Sequence, residues 1–367
     1  MQEFRSRQSA LTAKQRKEWR GNMEGIILEE RKRLGALLDT HTQAEVMEKI
    51  PQFWRAETDN FLSPPERVPP HLGVLMFNME RGVHLEEIRE FLQDCPAIRP
   101  FDLILANELD DGCARSGNRN TARELAEALG LNYAWGLEFI ELVNDENAKG
   151  FHGNAVFSRW PIRRAGVIRL PEQYNWYFDR QKRIGGRLAV FAQLEVGGAP
   201  LGVVSIHLEN RTDGLGRQAQ MRTILEAVRR ELPDMPLILG GDLNTNTFDG
   251  RNKEDIGAIA ASPDLRRRCL EGVFDYEPLL PMAAADGYHI VPQEPRMTRR
   301  KPLPGGDFLP LRLDWILLKG VRAEKSYMVS TAREDFTFAR PGGALARFEG
   351  AELSDHNAIW ALCRIEQ

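Results

Sequence analysis

The spacing of hydrophobic positions changes once along the chain, at a proline-rich segment over 63–72. Before this segment, apolar residues recur at the spacing of one helix face, and two capping-box patterns mark helix starts. The apolar stripe comprises Trp19, Met23, Ile26, Ile27, Leu34, Leu37 and Leu38, and the capping boxes pair Thr12 with Gln15 and Thr42 with Glu45. We therefore predict a helical N-terminal extension over 1–62, an extended connector over 63–72 and a main domain over 73–367. We interpret the extension as structural support packed on the main domain, with partner binding or oligomerisation as the alternative.

After the connector, short apolar runs end in polar residues and alternate with a few helical stretches. This pattern predicts strands over 73–78, 101–107, 132–140, 153–158, 187–196, 201–208, 236–242, 312–319 and 357–365. Helices are predicted over 84–94, 121–129 and 215–232. Many strands with few helices between them are typical of two sheets packed face to face with helices outside. The predicted fold class is therefore α/β.

Composition limits the class of protein. The chain has 42% hydrophobic and 28% charged residues, as ordinary globular proteins do, and lacks any apolar run as long as a membrane helix. The N-terminal residues show no apolar stretch typical of a secretory signal, so we expect a cytoplasmic protein without integral membrane association. The formal net charge of −4 argues against chain-wide attraction to nucleic acid but is compatible with a locally basic groove. Four cysteines without a CxxC pair exclude zinc-ribbon and thioredoxin-type sites.

Several predicted strands begin or end at a carboxylate, a carboxamide or an imidazole. These residues are Asn78, Glu108, His207, Asp242, Asn244, Asp314, Asp355 and His356. Burying each of them without a partner would be strongly unfavourable. We therefore predict that they converge on one hydrated metal site at a sheet edge.

The residue types indicate which ion this site would hold. Carboxylates and carboxamides without cysteine suit Mg²⁺, Mn²⁺ or Ca²⁺ better than Zn²⁺. We predict Glu108 as the first ligand, with Asn78 and Asp355 beside it. Asp242 and Asn244 either hold a second ion or position the attacking water and a phosphate oxygen.

Two histidines supply proton chemistry. We predict that Asp314 orients the imidazole of His356, and an imidazole held in this way is a good general base near neutral pH. His207 either hydrogen-bonds a phosphate oxygen or protonates the leaving group. Metal, base and phosphate-stabilising groups together predict hydrolysis of a phosphate ester by in-line attack of water.

Seven segments resemble, in order, the motifs of the endonuclease/exonuclease/phosphatase superfamily, the DNase-I-like metal-dependent phosphohydrolases. The segments are MFNMERG (76–82), LILANEL (103–109), HGNAVFSRWPI (152–162), VVSIHLEN (203–210), LILGGDLNTN (237–246), RLDWILL (312–318) and LSDHNAI (353–359). Together they span nearly the whole chain after the connector. The resemblance implies a four-layer α/β/β/α sandwich with a Mg²⁺ or Mn²⁺ site at one end.

The resemblance also implies a role for each matched position. Asn78 and Glu108 match the asparagine and glutamate of the superfamily's metal site, and His207 matches its strand-borne histidine. Asp242 and Asn244 match the aspartate and asparagine of the GDxN motif. Asp355 and His356 match the SDH pair, and Asp314 matches the aspartate that partners the catalytic histidine. Asn154 matches a position that often contacts phosphate. Asn107 replaces the usual glutamine and Ile206 the usual threonine. A histidine at 207, where abasic-site endonucleases tend to carry tyrosine, favours the phosphodiesterase, phosphatase and DNase-like branches.

Three segments are candidates for determining substrate specificity. The alternative for each is a solvated loop without a role in substrate recognition. Segment 175–187 mixes aromatic and basic residues. Such residues can stack on bases and bind phosphates, or they can lie at a lipid headgroup layer. The segment ends in Arg187, a candidate phosphate contact. Segment 295–306 is basic and proline-rich, and 107–120 follows the predicted metal glutamate. His152 is a further candidate substrate contact.

The leading prediction is a divalent-metal-dependent phosphodiesterase that cleaves its phosphate-ester substrate by histidine-activated attack of water. The alternatives are a metal-dependent nuclease acting on DNA or RNA and a sphingomyelinase-like phosphodiesterase of lipid headgroups. An alternative from another class is a catalytically silent binding scaffold. That alternative agrees least with the sequence, because every position of the predicted site keeps a competent residue.

Overall fold

The structure, a computed structural model, describes residues 19–246, 253–292 and 294–366. Its strands are β1 (Trp19–Arg20), β2 (Ala56–Asp59), β3 (Leu72–Arg81), β4 (Leu103–Asp111), β5 (Asn132–Glu141), β6 (Phe151–Ser158), β7 (Ile162–Arg169), β8 (Arg183–Gly185), β9 (Leu188–Val196), β10 (Ala199–His207), β11 (Leu237–Asp242), β12 (His289–Val291), β13 (Arg299–Pro302), β14 (Phe308–Leu311), β15 (Asp314–Lys319), β16 (Val321–Val329) and β17 (Ala358–Ile365). Its α-helices are α1 (Leu28–Leu37), α2 (Gln43–Met47), α3 (Leu85–Asp94), α4 (Thr121–Leu129), α5 (Gly214–Glu231), α6 (Lys253–Ala261), α7 (Pro263–Glu271), α8 (Val273–Tyr276), α9 (Leu279–Ala285) and α10 (Ala344–Arg347). Among the described residues, no helix combines the length and the apolar composition needed to cross a bilayer.

Two large sheets and a separate hairpin contain these strands. One sheet has the order β1-β2-β5-β6-β4-β3-β17-β16, with β8 paired to β5, and the other has the order β12-β15-β11-β10-β9-β7. The hairpin consists of β13 and β14. Parallel pairing joins β3 to β4 and β10 to β11, so the carboxyl ends of these neighbouring strands lie at the same edge of their sheet.

Hydrophobic cores separate the layers. Residues such as Met76 and Ile316 fill the space between the two sheets. Phe91 of α3 belongs to the core on the outer face of the first sheet, and Ile224 of α5 belongs to the core on the outer face of the second. The order helix, sheet, sheet, helix confirms the predicted four-layer sandwich.

The described part of the N-terminal extension packs on the first sheet. Leu34, Val46 and Phe53 are buried in the same core as Phe91. The capping box at Thr42 is present, because the Thr42 hydroxyl accepts a hydrogen bond from the Glu45 backbone and the Glu45 carboxylate accepts one from the Thr42 backbone. The predicted capping box at Thr12 and Gln15 lies outside the described residues.

The prediction of a wholly helical extension is wrong at both ends of its described part. Trp19–Arg20 forms β1, and no helix begins before Leu28 in the described residues. Ala56–Asp59 forms β2, which pairs antiparallel with β5 of the main sheet. The buried Glu57 explains this preference, because its carboxylate accepts hydrogen bonds from the hydroxyl of Tyr133 at 2.6 Å and from the side chain of Asn120 at 3.0 Å. Tertiary pairing therefore overrides the local helical pattern here. The division at 62 and 72 into extension, connector and main domain stays a prediction.

Two of the strands that the sequence pattern missed, β7 and β16, lie at sheet edges. β7 ends the order of one sheet and β16 ends the order of the other. Half of the residues of β7 and most of those of β16 are exposed or half-buried, and β16 reads VRAEKSYMV. An edge strand needs fewer buried residues than a central strand, so its apolar signal is weak, and charged residues there also discourage pairing with other chains.

Candidate active site

A cleft of about 120 Å³ opens where several strand ends of the two sheets meet. Its lining consists of polar side chains, namely Glu80, Arg81, Glu108, His207, Asn210, Asp242, Asn244, Arg299, Asp355 and His356. Six predicted site residues are in this lining, and Asn78 and Asp314 are buried directly behind it, in contact with residues that face the cleft. The structure therefore brings together all eight residues predicted for metal binding and catalysis.

Strand register places three of these residues side by side. His207 of β10 pairs with Asp242 of β11, and Asp242 pairs with Asp314 of β15. Paired residues of neighbouring strands project to the same face of a sheet. Gly241 permits the close approach of β10 and β11, because a Cβ atom at this position would lie 1.7 Å from the carbonyl oxygen of Ile206.

The carboxylate of Asp242 is the centre of the cluster. Its Oδ2 atom accepts a hydrogen bond from Asn78 Nδ2 at 3.2 Å, and lies 3.7 Å from His207 Nε2 and 3.6 Å from His356 Nε2. Its Oδ1 atom accepts a hydrogen bond from the backbone of Asn244 at 2.9 Å. Two imidazoles and two amides thus converge on one carboxylate.

The Asn107 amide ties the two sheets together behind this carboxylate. Asn107 Oδ1 accepts a hydrogen bond from the Asp242 backbone at 2.7 Å, and its Nδ2 donates to Asn154 at 3.2 Å and to Ser205 at 3.3 Å. Asparagine in place of the superfamily's usual glutamine therefore still makes a complete set of amide hydrogen bonds. It positions Asp242 rather than facing the cleft.

The first sheet contributes Glu108 through strained backbone. Glu108, Glu80, Arg81 and Asn244 all have positive φ angles, of 55°, 42°, 68° and 50° respectively. The ladder between β3 and β4 also shifts register after Asn78, as bulged strands do. Such conformations persist where surrounding contacts enforce them, and they cluster at functional sites.

His356 and Asp314 form a buried pair. His356 Nδ1 lies 2.9 Å from Asp314 Oδ2, and both side chains are almost fully excluded from solvent. Burial lowers the pKa of His356, but the charges of Asp314, Asp242 and Asp355 outweigh burial and raise it to about 10. The pair leaves Nε2 of His356 directed toward Asp242 and Asp355, at the cleft.

The cleft lining suits a hard divalent cation. Carboxylates of Glu80, Glu108, Asp242 and Asp355 share it with the guanidinium groups of Arg81 and Arg299. Burial and the charge of Asp355 raise the pKa of Glu80, whereas the positive charges of Arg81 and nearby histidines overcome burial and hold the pKa of Glu108 well below its usual range. A further cation would relieve the repulsion, and oxygen donors are those that Mg²⁺ and Mn²⁺ prefer.

Ligand atoms of Asp242, Asp314 and His356 also lie within 4.8 Å of one another. The sequence instead predicted Glu108, Asn78 and Asp355 as the ligands. Both sets border the same cleft, since Asn78 Nδ2 also lies 3.4 Å from Glu108 Oε1. The assignment of ligands among them stays a prediction.

A buried network that the sequence did not reveal holds His207. Glu138 Oε2 lies 3.1 Å from His207 Nδ1, and Glu138 Oε1 accepts a hydrogen bond from Arg187 Nη1 at 2.9 Å. Burial raises the pKa of Glu138, but the charges of His207 and Arg187 outweigh it and lower the pKa to about 2. The sequence did contain one signal for this network, a glutamate inside an otherwise apolar strand. A buried charge is unfavourable unless it is paired, so such a glutamate indicates a buried partner.

The three predicted substrate contacts lie beneath the cleft. Asn154 accepts a hydrogen bond from the Glu108 backbone at 3.2 Å, His152 pairs with Asp110 at 2.8 Å, and Arg187 pairs with Glu138. All three are buried, and none belongs to the cleft lining. In this structure they position other residues, and direct contact with a substrate stays a prediction.

The cleft also contains residues that the sequence prediction omitted from the site. Glu80 accepts a hydrogen bond from the Asp355 backbone at 3.0 Å, and Arg81 Nε lies 3.9 Å from Glu108 Oε2. Arg299 Nη2 donates to Asp355 Oδ2 at 2.7 Å. The proximity of Glu80 and Arg81 to Asn78 in sequence was a usable signal, and Arg299 lies in the basic segment 295–306.

Fold and site together define a four-layer α/β sandwich with an oxygen-rich cleft where the two sheets meet. The sequence matches the Endonuclease/Exonuclease/phosphatase family over residues 77–356, and the chain therefore belongs to this family. Members of this superfamily are generally phosphoester hydrolases that use divalent metal. A comparison with curated proteins finds no match to the sequence.

Solved structures share the fold at low sequence identity. An endonuclease/exonuclease/phosphatase from Bacteroides vulgatus is 13% identical with a TM-score of 0.52, over 81% of this chain and 100% of that one. One from Beutenbergia cavernae is 17% identical with a TM-score of 0.49, over 81% and 72%. D. rerio TDP2 complexed with a single-strand DNA product is 14% identical with a TM-score of 0.49, over 81% and 100%.

Proposed function

We propose that the protein is a divalent-metal-dependent phosphodiesterase that uses His356 to activate water. The observation that carries this proposal is the cluster around Asp242, where two imidazoles and an amide surround one carboxylate inside an oxygen-rich cleft. Membership of the family supports hydrolysis of phosphoesters as the reaction class.

His356 is the proposed general base. Asp314 holds Nδ1 at 2.9 Å, which fixes the ring and leaves Nε2 to accept a proton from water at the cleft. The buried carboxylate also stabilises the imidazolium that forms when the proton is transferred. Asp355 and Asp242 flank Nε2 at 3.8 and 3.6 Å, so this atom faces two of the residues proposed to hold the cation.

Glu108, Asp242 and Asp355, with Asn78, are the residues proposed to hold the cation. A bound Mg²⁺ or Mn²⁺ would polarise the phosphate and offset the carboxylate charge that keeps the pKa of His356 high. His207 is the proposed stabiliser of phosphate or leaving-group oxygen, and Glu138 fixes its ring from behind. Asn244 completes the proposed phosphate contacts.

We propose a diester rather than a monoester as the substrate, as predicted from the sequence. A cytoplasmic location, as predicted from the sequence, is the setting in which we propose that this reaction occurs.

Hydrolysis of bis-p-nitrophenyl phosphate and of p-nitrophenyl phosphate tests the proposal. Each substrate is incubated with the wild-type protein in Mg²⁺, in Mn²⁺ or in EDTA, and p-nitrophenolate release is followed by absorbance. We expect cleavage of the diester in either metal and its loss in EDTA, with slower cleavage of the monoester. Cleavage that persists in EDTA would contradict the metal dependence, and a preference for the monoester would indicate a phosphatase.

A further inference from the structure

The hairpin of β13 and β14 is fastened to the catalytic segments. Arg299 forms a backbone bridge with His356, and the Asn357 backbone donates to the Thr298 carbonyl at 2.7 Å. The Thr298 hydroxyl accepts hydrogen bonds from the backbones of Leu313 and Asp314, at 2.9 and 3.2 Å. β13, the first strand of the hairpin, is therefore held beside His356, the proposed general base, and its partner Asp314.

Side chains of this strand alternate between two faces. Arg299 and Lys301 share one face, while Arg300 projects to the other, because the side-chain period of a strand is two. Arg299 donates through Nε and Nη2 to Asp355 Oδ2, at 3.1 and 2.7 Å, and it lines the cleft. Arg300 instead pairs with Glu352 at 3.0 Å.

Lys301 lies among positive charges without a compensating partner. It is half-buried, and within the described residues neither a hydrogen bond nor an ion pair joins its ammonium group to another residue. Burial and then the charges of Arg299 and Arg211 lower the pKa of Lys301, and the charge of Asp355 acts in the opposite direction. Because Lys301 shares a strand face with Arg299, which lines the cleft, it lies near the cleft.

Arg211 approaches from a different element, the segment that follows β10. Its guanidinium group lies 5.8 Å from the centre of the Tyr174 ring and 5.6 Å from that of Trp176, and 3.4 Å from Asp179. Arg211 directly follows Asn210, which lines the cleft, so cations of two separate segments border it. Asp355 and Asp179 each offset one of the two guanidinium charges, which leaves the half-buried ammonium group of Lys301 as the cation that a bound anion would compensate.

We propose that Lys301, Arg299 and Arg211 form a subsite for a second phosphate of the substrate, next to the phosphate that is hydrolysed. This inference rests on the proposed phosphodiesterase function and specifies its substrate class. The substrate is then a phosphodiester that carries a neighbouring phosphate. A nucleic acid strand and a small nucleotide with an additional phosphate both present this chemistry.

Two chromogenic substrates that differ by one phosphate test the subsite. They are thymidine 5′-(p-nitrophenyl phosphate) and its 3′-phosphorylated form, and the measured quantity is the ratio of their kcat/KM values. We expect the wild-type protein to prefer the 3′-phosphorylated form by about tenfold or more, as one charge-assisted contact provides. Lys301→Gln should bring the ratio close to one, and Lys301→Arg should restore it.

Arg300→Gln is the matched control, because it removes one positive charge from the same strand on the opposite face. This variant should keep the wild-type ratio. Raising the NaCl concentration should reduce the ratio in the wild-type protein and in Arg300→Gln, since salt screens charges that solvent reaches. A wild-type ratio near one, or equal losses in Lys301→Gln and Arg300→Gln, would refute the subsite.

Calorimetric binding separates this inference from the proposed function. Thymidine 3′,5′-bisphosphate should bind more tightly than thymidine 5′-monophosphate, and Lys301→Gln should abolish the difference. A retained difference without any turnover would overturn the phosphodiesterase and keep the subsite, whereas turnover without a difference would overturn the subsite alone. Oligothymidylates of increasing length distinguish a nucleic acid strand from a small nucleotide as the substrate. Only an enzyme that binds a strand gains affinity when phosphates beyond the second are added.

Discussion

Replacing Glu138 with glutamine would break the buried network beneath His207. The carboxylate is completely buried, and its oxygens lie 3.1 Å from His207 Nδ1, 2.9 Å from Arg187 Nη1 and 3.3 Å from Asn154 Nδ2. Glutamine has nearly the same shape but no charge. Arg187 would then keep Glu209, at 3.5 Å, as its remaining acidic neighbour in the described structure.

The size of the effect follows from the pKa of Glu138. The pKa falls from an ordinary value of 4.5 to about 2 in the folded protein. Since each pKa unit corresponds to about 1.4 kcal/mol, the ionised carboxylate stabilises the fold by about 3 kcal/mol. Removal of one partner from a buried ion pair has a similar effect, of about 3–5 kcal/mol. Glu138→Gln should therefore lose about 3 kcal/mol of stability.

Urea unfolding at pH 7 measures this loss as a difference in the free energy of unfolding. The control is Glu127→Gln, which removes an ion pair at the protein surface between Glu127 and Arg123, four positions apart in one helix. This substitution should change stability by less than about 0.5 kcal/mol. The contribution of Glu138 should be complete above pH 4.5 and fall as the pH decreases toward 2, because its folded pKa is depressed. The difference between wild type and variant should shrink over the same range.

Equal stability of Glu138→Gln and wild type at pH 7 would refute this account of the network. A loss that stays constant between pH 7 and pH 3 would also contradict it, because the effect would then not depend on the charge. Activity provides a second readout. His207 would lose its fixed orientation, so kcat should fall in Glu138→Gln even under conditions where the variant is fully folded.

Further predictions concern the base, the cation site and the extension. Asp314→Asn should reduce kcat by about 10³-fold or more with little change in KM, since the imidazole loses the group that orients it; a change below tenfold in steady-state assays would contradict this role. Glu108→Gln should weaken Mn²⁺ binding in calorimetry by at least about tenfold, and unchanged affinity would remove Glu108 from the ligands. Phe53→Ala should destabilise the protein by about 3–5 kcal/mol in urea unfolding, because this buried ring shares a core with α3; an effect below 1 kcal/mol would show that the extension packs weakly.

The sequence predicted those site residues that lie at strand ends or in short motifs. His207, Asp242 and Asp314 end or begin apolar strands, and the pairing of those strands then places their side chains together. Asp355 and His356 directly precede the last strand, so the same edge receives them. Strand ends are predictable because a run of apolar residues defines both the strand and the point where polar residues begin.

The sequence did not predict the buried layer that holds these residues. Glu138 lies within an apolar strand, and its partner Arg187 lies 49 positions away, so no local pattern connects them. Asn154, His152 and Arg187 are similar cases, because each residue type suits either a substrate contact or an internal hydrogen bond. Only the packing of the two sheets shows that they are buried.

The arrangement of the basic residues of β13 was also beyond local patterns. Segment 295–306 is basic, but its charge alone did not indicate that Arg299 and Lys301 share a face while Arg300 points away. That alternation depends on the register of β13 with β14, and on the bridge between Arg299 and His356. Short hairpins inserted between the strands of a large sheet have little apolar signal of their own.

The most direct test of the central claim compares two histidine variants in the presence of Mn²⁺. His356→Ala removes the proposed base, and His289→Ala removes an exposed histidine of β12 as the matched control. We predict that hydrolysis of bis-p-nitrophenyl phosphate falls by several orders of magnitude in His356→Ala and is unchanged in His289→Ala, with both variants folded by circular dichroism. Wild-type turnover in a folded His356→Ala protein would contradict the account.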